Sequence, residues 1–364
     1  MEKQTIVVKI GSSSLTNDQG EIDEQKLSGY VEAIAALKKA KHTVILVSSG
    51  AVAAGFKQLG YPSRPVTIKG RQAAAAVGQS LLIQSYIKKF GQYQLVPAQI
   101  LLTRSDFSQR ERYQNAFSTI NELLDRNIIP IINENDTVSI KELTFGDNDM
   151  LSALVSGFIH ADQLIILTDI NGLYTDNPMK NPHAEKYSFL EEITDEVLAS
   201  ASSEGSKVGT GGMKSKLEAA KRALSLGVST FIGKAEGKYS LLQVLQGTGD
   251  GTYISNKSMQ PINTKKQWIA LHSESTGKIH IDSGAEKAIL YDGRSLLPAG
   301  ITDVQGTFVK GDVVEVYGQN KLLGKGKVNY SSTEVMIEIE KRQEQGKLAP
   351  SIEVIHRNNW VTFK

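Results

Sequence analysis

Apolar and polar residues alternate in two different ways along this chain. Up to about residue 254, short runs rich in Val, Ile and Leu are separated by longer segments whose apolar residues recur every three or four positions. Six runs predict buried strands: Thr5 to Ile10, Thr43 to Ser48, Leu95 to Leu101, Ile128 to Ile132, Gln163 to Thr168 and Ser229 to Gly233. Helical spacing lies between them, at Leu27, Val31, Ile34 and Leu37, over Leu81 to Ile87, at Ala116, Ile120, Leu123 and Leu124, at Leu151, Leu154, Val155 and Phe158, and at Leu217, Ala220 and Leu224. Nearly continuous apolar strands joined by helices predict a mostly parallel sheet covered on both faces, a three-layer α/β/α domain.

Beyond Ile254 the pattern changes. "SNKSMQPINTKKQW" is polar and lacks periodicity, and the short strand-like runs that follow carry closely spaced turn glycines. This predicts a domain over 1–257, a linker over 258–275 and a small, mainly β module over 276–354. A length of 364 residues allows about two domains. The balance of 41 basic against 39 acidic residues argues against nucleic acid or an anionic membrane as the main partner, so a charged ligand must be recognised locally. With no cysteine, thiolate nucleophiles, disulfides and Cys-based zinc sites are excluded together. No run of about 18 apolar residues and no export leader is present, so the expected location is the cytoplasm.

Open parallel α/β sheets bind ligands beyond the carboxyl ends of their strands, which makes the segments following each strand one candidate rim. They read "KIGSSSL" (9–15), "SSGAVAAG" (48–55), "NENDTV" (133–138) and "TDINGLY" (168–174), and the loop "GTGGMKSK" (209–216) opens the next helix. Glycine-rich backbone at a helix start suits phosphate. Neither G-x-x-x-x-G-K-[ST] nor G-x-G-x-x-G after a strand occurs, so a P-loop enzyme and a dinucleotide-binding dehydrogenase lack support. Lys214 and Lys216 are two positions apart, about 200° around a helix, so one of them faces the rim. Lys9 ends a buried strand, where an ammonium needs an anionic partner. In "FGDNDMLSAL", Asp147 or Asn148 could cap the next helix with Asp149 in its first turn. Together with "NEND" across a short hairpin (137–144), the same residues also suit an amino group or Mg²⁺. The six scattered histidines form no H-E-x-x-H, which leaves little support for a histidine metal site or histidine acid/base catalysis.

In this order and combination, "VVKIGSSSL", "SSGAVAAG", "LLTRSDFSQRERYQNA", "IIPIINENDTV", "FGDNDMLSA", "LTDINGLYTDNP" and "GTGGMKSK" resemble the amino-acid kinase family over residues 1 to about 235. "RSLLPAGITDVQGTFVKGDVV" resembles a PUA domain. The first resemblance implies ATP, with Mg²⁺, phosphorylating the γ-carboxylate of L-glutamate as the opening step of proline synthesis. It also implies Lys9 and Lys216 on the transferring phosphoryl group and Asp149 organising them. Substrate contacts are implied at Ser49, Gly50, Asp136 and Asn148. Nucleotide contacts are implied at Lys9, Thr168 and Asp169 and along Thr210, Gly211, Gly212, Met213, Lys214, Ser215 and Lys216, with Mg²⁺ carried mainly by the phosphates. A homodimer or homotetramer and hand-over of the product to a glutamyl-phosphate reductase follow by the same resemblance. Acetylglutamate, aspartate or carbamate are alternative acids, and the PUA-like tail alone suggests RNA. That tail is only mildly basic, since Lys310, Lys321, Lys325 and Lys327 are offset by Asp312, Glu315, Glu334, Glu338 and Glu340.

Overall fold

Every predicted apolar run becomes a strand in a computed structural model that describes residues 2–138, 148–176, 178, 181–200, 212–256, 268–269, 273, 275–319, 321–345 and 352–363. The strands up to residue 254 are β1 (Thr5–Ile10), β2 (Thr43–Ser48), β3 (Pro97–Leu102), β4 (Ile129–Glu134), β5 (Gln163–Leu167), β6 (Leu173–Tyr174), β7 (Lys186–Tyr187), β8 (Phe189–Leu190), β9 (Ser229–Gly233) and β10 (Gly251–Ile254). Eight of them form one sheet in the order β3-β4-β2-β1-β5-β9-β10-β8, and β6 pairs with β7 separately. β1 lies near the middle, parallel to β2 and β5. β10 runs antiparallel to β9, because the chain turns back through the short helix Ser240–Leu245.

Alternation along β1 decides what each face holds. Ile6, Val8 and Ile10 share a core with Leu27, Val31 and Ile34 of the helix Glu24–Lys39 and with Tyr86 and Phe90 of the helix Ile68–Gly91. Val7 and Lys9 therefore point to the other face. There the helix Asn148–Phe158 packs on the strands and against the helix Met213–Ser225.

The helix Ile68–Gly91 is much longer than the apolar stretch Leu81 to Ile87 that marks it in the sequence. Its first half is Ala-rich, which favours helix while leaving little periodic signal. Small residues there permit a close crossing. A methyl group added at Gly78 would fall on the carbonyl oxygen of Ala51 and the backbone nitrogen of Gly55, in the helix Ala51–Gly55. The two helices thus touch backbone to backbone.

The chain divides into two compact units, Met1–Asp106 with Gln114–Pro261, and Phe107–Tyr113 with Ile262–Lys364. The second unit contains β11 (Ser275–Ile281), β12 (Ile301–Gly306), β13 (Val313–Gly318), β14 (Lys321–Val328) and β15 (Ile355–Thr362), in the sheet order β12-β11-β13-β14-β15. Ile279, Val314, Val316, Leu323, Ile355 and Trp360 belong to its own core. Its last strand lies beyond residue 354, where the sequence pattern ends the module, and is held by antiparallel pairing with β14. Among the described residues, no helix is long and apolar enough to cross a membrane.

Candidate active site

Lys9 sits one residue before the end of β1, on the face covered by the helix Asn148–Phe158. Its side chain is 3 % exposed and that of Asp149, in the first turn of this helix, is fully buried. The ammonium of Lys9 pairs with Oδ1 of Asp149. On the other side of the same carboxylate, Lys216 Nζ lies 3.2 Å from Oδ2, to which Ser215 Oγ donates at 3.0 Å. One buried anion therefore gathers two cations, and the trio carries a net positive charge. Water is largely excluded, so a phosphate meeting these ammonium groups would feel them more strongly than in solution. The Asp149 backbone carbonyl also accepts from Ser152 Oγ at 2.6 Å, which fixes the helix turn that carries the carboxylate.

Lys214 behaves differently from Lys216. Its side chain is 59 % exposed and lies 3.9 Å from Glu218, one helical turn along. Gly212 caps the helix Met213–Ser225, and its carbonyl oxygen lies 2.9 Å from Ser215 Oγ, sharing that hydroxyl's one proton with Asp149. Thr210 and Gly211 lie outside the described residues, as do Asp147 and most of the hairpin expected over 137–144.

Next to the lysine pair stands a network of amides and hydroxyls. Asn148 Nδ2 donates to Ser49 Oγ at 2.9 Å, to Asn133 Oδ1 at 2.7 Å and to the Ser48 carbonyl at 3.3 Å. Asn133 in turn donates to Gln79 Oε1 at 2.8 Å, and Ser48 Oγ lies 2.7 Å from the Tyr86 hydroxyl. Gly50 follows with φ of +113°, a left-handed conformation that turns the chain from β2 into the helix Ala51–Gly55. Asp136 lies just after β4. Burial, helped by the neighbouring Glu134 and opposed by Arg71, pushes its carboxyl up to about 6. Ser49, Asn148 and Asn133 are thus tied together, with Gly50 and Asp136 adjoining them in the chain.

On the other side of β1, Thr168 Oγ1 donates to Asp169 Oδ1 at 3.1 Å. Both residues line a cavity of about 390 Å³ that also takes in Ser13, Tyr30, Lys234 and Glu236. This rim crosses the carboxyl ends of β4, β2, β1, β5 and β9, as an open parallel sheet requires of a ligand site.

A family model described as the amino acid kinase family matches residues 4–234, which include both lysines and Asp149. The chain belongs to the amino acid kinase family. A PUA domain model matches residues 277–345. Among curated amino acid kinases, the chain is 63 % identical to glutamate 5-kinase 1 of Bacillus licheniformis and 62 % identical to glutamate 5-kinase 1 of Bacillus subtilis, each match covering the whole of both chains. The fold is also similar to that of the carbamate kinase from Giardia lamblia bound to AMP-PNP, with a TM-score of 0.52 and 16 % identity over 70 % of this chain and 99 % of that one. The match is one of architecture: the three-layer α/β/α domain with its mostly parallel sheet is the amino acid kinase fold, and a mainly β PUA domain follows it.

Two members of the polar network escape a sequence reading of this amino acid kinase. Asn133 lies within the quoted "NEND", yet nothing in that motif distinguishes its amide from that of Asn135. Gln79 stands in an Ala-rich helix 54 residues away from Asn133, with no local signal.

Proposed function

We propose that this kinase transfers the γ-phosphoryl group of ATP to the γ-carboxylate of L-glutamate, forming L-glutamyl 5-phosphate and ADP. The observation that carries the reading is the buried carboxylate of Asp149 holding Lys9 and Lys216 together at the sheet rim. Whole-chain identity of 62–63 % to two proteins named glutamate 5-kinase 1 supports glutamate as the acceptor.

The chemistry explains why no histidine or serine base is needed. A glutamate side chain has a pKa of about 4.3, so at neutral pH it is already an anionic nucleophile. One γ-carboxylate oxygen attacks the γ-phosphorus, a new O–P bond forms, and the bond from that phosphorus to the β,γ-bridging oxygen breaks. ADP leaves with that electron pair, and no proton has to move. The obstacle is repulsion between two anions, so catalysis consists of in-line positioning and neutralisation of charge on the transferring group. In this reading Lys9 and Lys216 supply the neutralisation and Asp149 keeps them a few ångströms apart. Ser49, Gly50, Asn148 and Asp136 hold the amino acid, and Asp136 meets its ammonium group. Thr168, Asp169 and the 210–216 segment hold the nucleotide.

Mg²⁺ completes the reading. Both oxygens of Asp149 are engaged by lysines, and in this reading the ion is carried mainly by the phosphates of ATP. When bound it withdraws charge from the triphosphate. The product is a mixed anhydride that hydrolyses readily, which favours hand-over to a reductase. The same family supports a cytoplasmic homo-oligomer, and light scattering of the purified chain tests the assembly.

The decisive experiment measures ADP release with ATP and Mg²⁺ while trapping product as the hydroxamate. Glutamate is expected to drive turnover and hydroxamate formation. A preference for acetylglutamate, aspartate or carbamate overturns the assignment.

A further inference from the structure

The helix Ile68–Gly91 makes a directional contact to the polar network of the site that the proposed chemistry does not use. Gln79 Oε1 accepts from Asn133 Nδ2 at 2.8 Å. This bond determines which end of the Asn133 amide faces the site, because the two ends have opposite hydrogen-bonding character. With Nδ2 committed to Gln79, Oδ1 is left to accept from Asn148 Nδ2 at 2.7 Å and from the Glu134 backbone N–H at 2.9 Å. Asn148 then has its own amide nitrogen directed at Ser49 Oγ and the Ser48 carbonyl.

We infer that Gln79 is a positioning residue for the acceptor substrate: it sets the orientation of the Asn133 amide, and through Asn133 that of Asn148 and Ser49. The inference rests on the glutamate reading above. If Asn133 turned its amide over, its Nδ2 would face Asn148 Nδ2, two donors against each other. Asn148 would have to rotate as well, and its contact to Ser49 would be lost. Asn133 is 3 % exposed, so water cannot readily take over the missing partner.

The backbone around Gln79 suits this role. Its neighbour Gly78 is packed against Ala51 and Gly55, the helix that begins directly after Ser49 and Gly50. Gln79 is thereby held at a fixed distance from the serine loop it indirectly orients. Seven residues further along the same helix, the Tyr86 hydroxyl lies 2.7 Å from Ser48 Oγ and secures the other end of that loop. A single helix thus supports both β4 and the β2 exit from behind, and Gln79 and Tyr86 do so through neutral groups.

Steady-state kinetics of the full chain test this, with KM for glutamate, KM for ATP and kcat read separately. Gln79→Leu is expected to raise KM for glutamate about tenfold, the size expected for loss of one buried hydrogen bond. KM for ATP and kcat should stay within about twofold. Gln79→Glu keeps an acceptor for Asn133 Nδ2 and should recover most of the loss. In an Asn133→Ala background, Gln79→Leu should have almost no further effect, since the group it orients is gone. An unchanged glutamate KM in Gln79→Leu overturns the inference, and so do parallel changes in both KM values and kcat, or full additivity with Asn133→Ala. If Gln79→Leu does not fold, Gln79→Ser is read in the same way. Absence of glutamate turnover in the unaltered enzyme defeats the glutamate reading instead, so the two failures are distinct.

Discussion

At the scale of single residues, the site is governed by where charge is buried. Asp149 has no contact with solvent, and two lysines share its oxygens. Removing either lysine leaves a neutral ion pair, whereas the intact trio has a surplus positive charge to offer a phosphate. Lys9→Ala and Lys216→Ala are each expected to lower kcat at least ~100-fold, the usual scale for one electrostatic contact to a transition state, while circular dichroism shows a native fold. Lys214→Ala, on the exposed side of its helix, should change kcat far less. Asp136 gives a pH dependence of definite sign. Its carboxyl is raised from 3.8 to about 6 by burial, then by Glu134, against the opposing effect of Arg71. In the unliganded protein this group costs stability as pH rises from about 4 to about 6, because over that interval the unfolded chain has lost the proton and the folded one retains it. If Asp136 meets the substrate ammonium as proposed, that contact requires the anion, so glutamate binding should release a proton near pH 6 and KM for glutamate should climb as pH falls below 6. Calorimetric titration in buffers of different ionisation enthalpy reads the released proton directly. A flat KM between pH 5 and 7 would contradict it.

At the scale of elements, what matters is how closely helices approach one another and which strand face they cover. Period-two alternation sends Lys9 to the same face as the helix Asn148–Phe158. A slip of one residue in β1 would bury Lys9 among Leu27 and Ile34 instead. The crossing of Ala51–Gly55 with Ile68–Gly91 depends equally on small residues. Gly78→Ala must push the two helices apart, since the added methyl meets backbone atoms that have nowhere to move. A loss of about 1–3 kcal/mol is expected from urea unfolding, as for other overpacked contacts. Because the displaced helix carries Gln79 and Tyr86, KM for glutamate should rise in the same variant.

At the scale of the whole molecule, the described residues include a core on one face of β1 and a separate one within the PUA domain. Both tryptophans, Trp268 and Trp360, lie in the second unit, and the lysine pair lies in the first. This separation allows a clean test of whether the units unfold independently. A non-hydrolysable ATP analogue at about 100 times its Kd should stabilise the kinase unit by about 2.7 kcal/mol. Far-ultraviolet circular dichroism, dominated by the larger unit, should then shift to higher temperature while the tryptophan fluorescence midpoint stays in place. Equal shifts in both signals would mean that the two cores unfold as one.

Much of this was readable from the residues alone. The runs "TIVVKI", "TVILVS" and "QLIILT" read as buried strands because apolar and β-branched side chains fill them apart from Lys9, Ser48 and Gln163 at or near their ends, and strands buried on both faces belong to a parallel sheet under helices. The convergence of strand exits on one rim followed from that topology, while the roles of Lys9, Asp149 and Lys216 came with the family resemblance. Contacts across long stretches of sequence were another matter. That Lys216 and not Lys214 turns inward, that Gln79 reaches Asn133, and that Gly78 lies on Ala51 depend on the angle and register at which helices cross the sheet. Local patterning specifies which face of an element is apolar, but the rotation that brings a given polar side chain to its partner is settled only when whole elements pack.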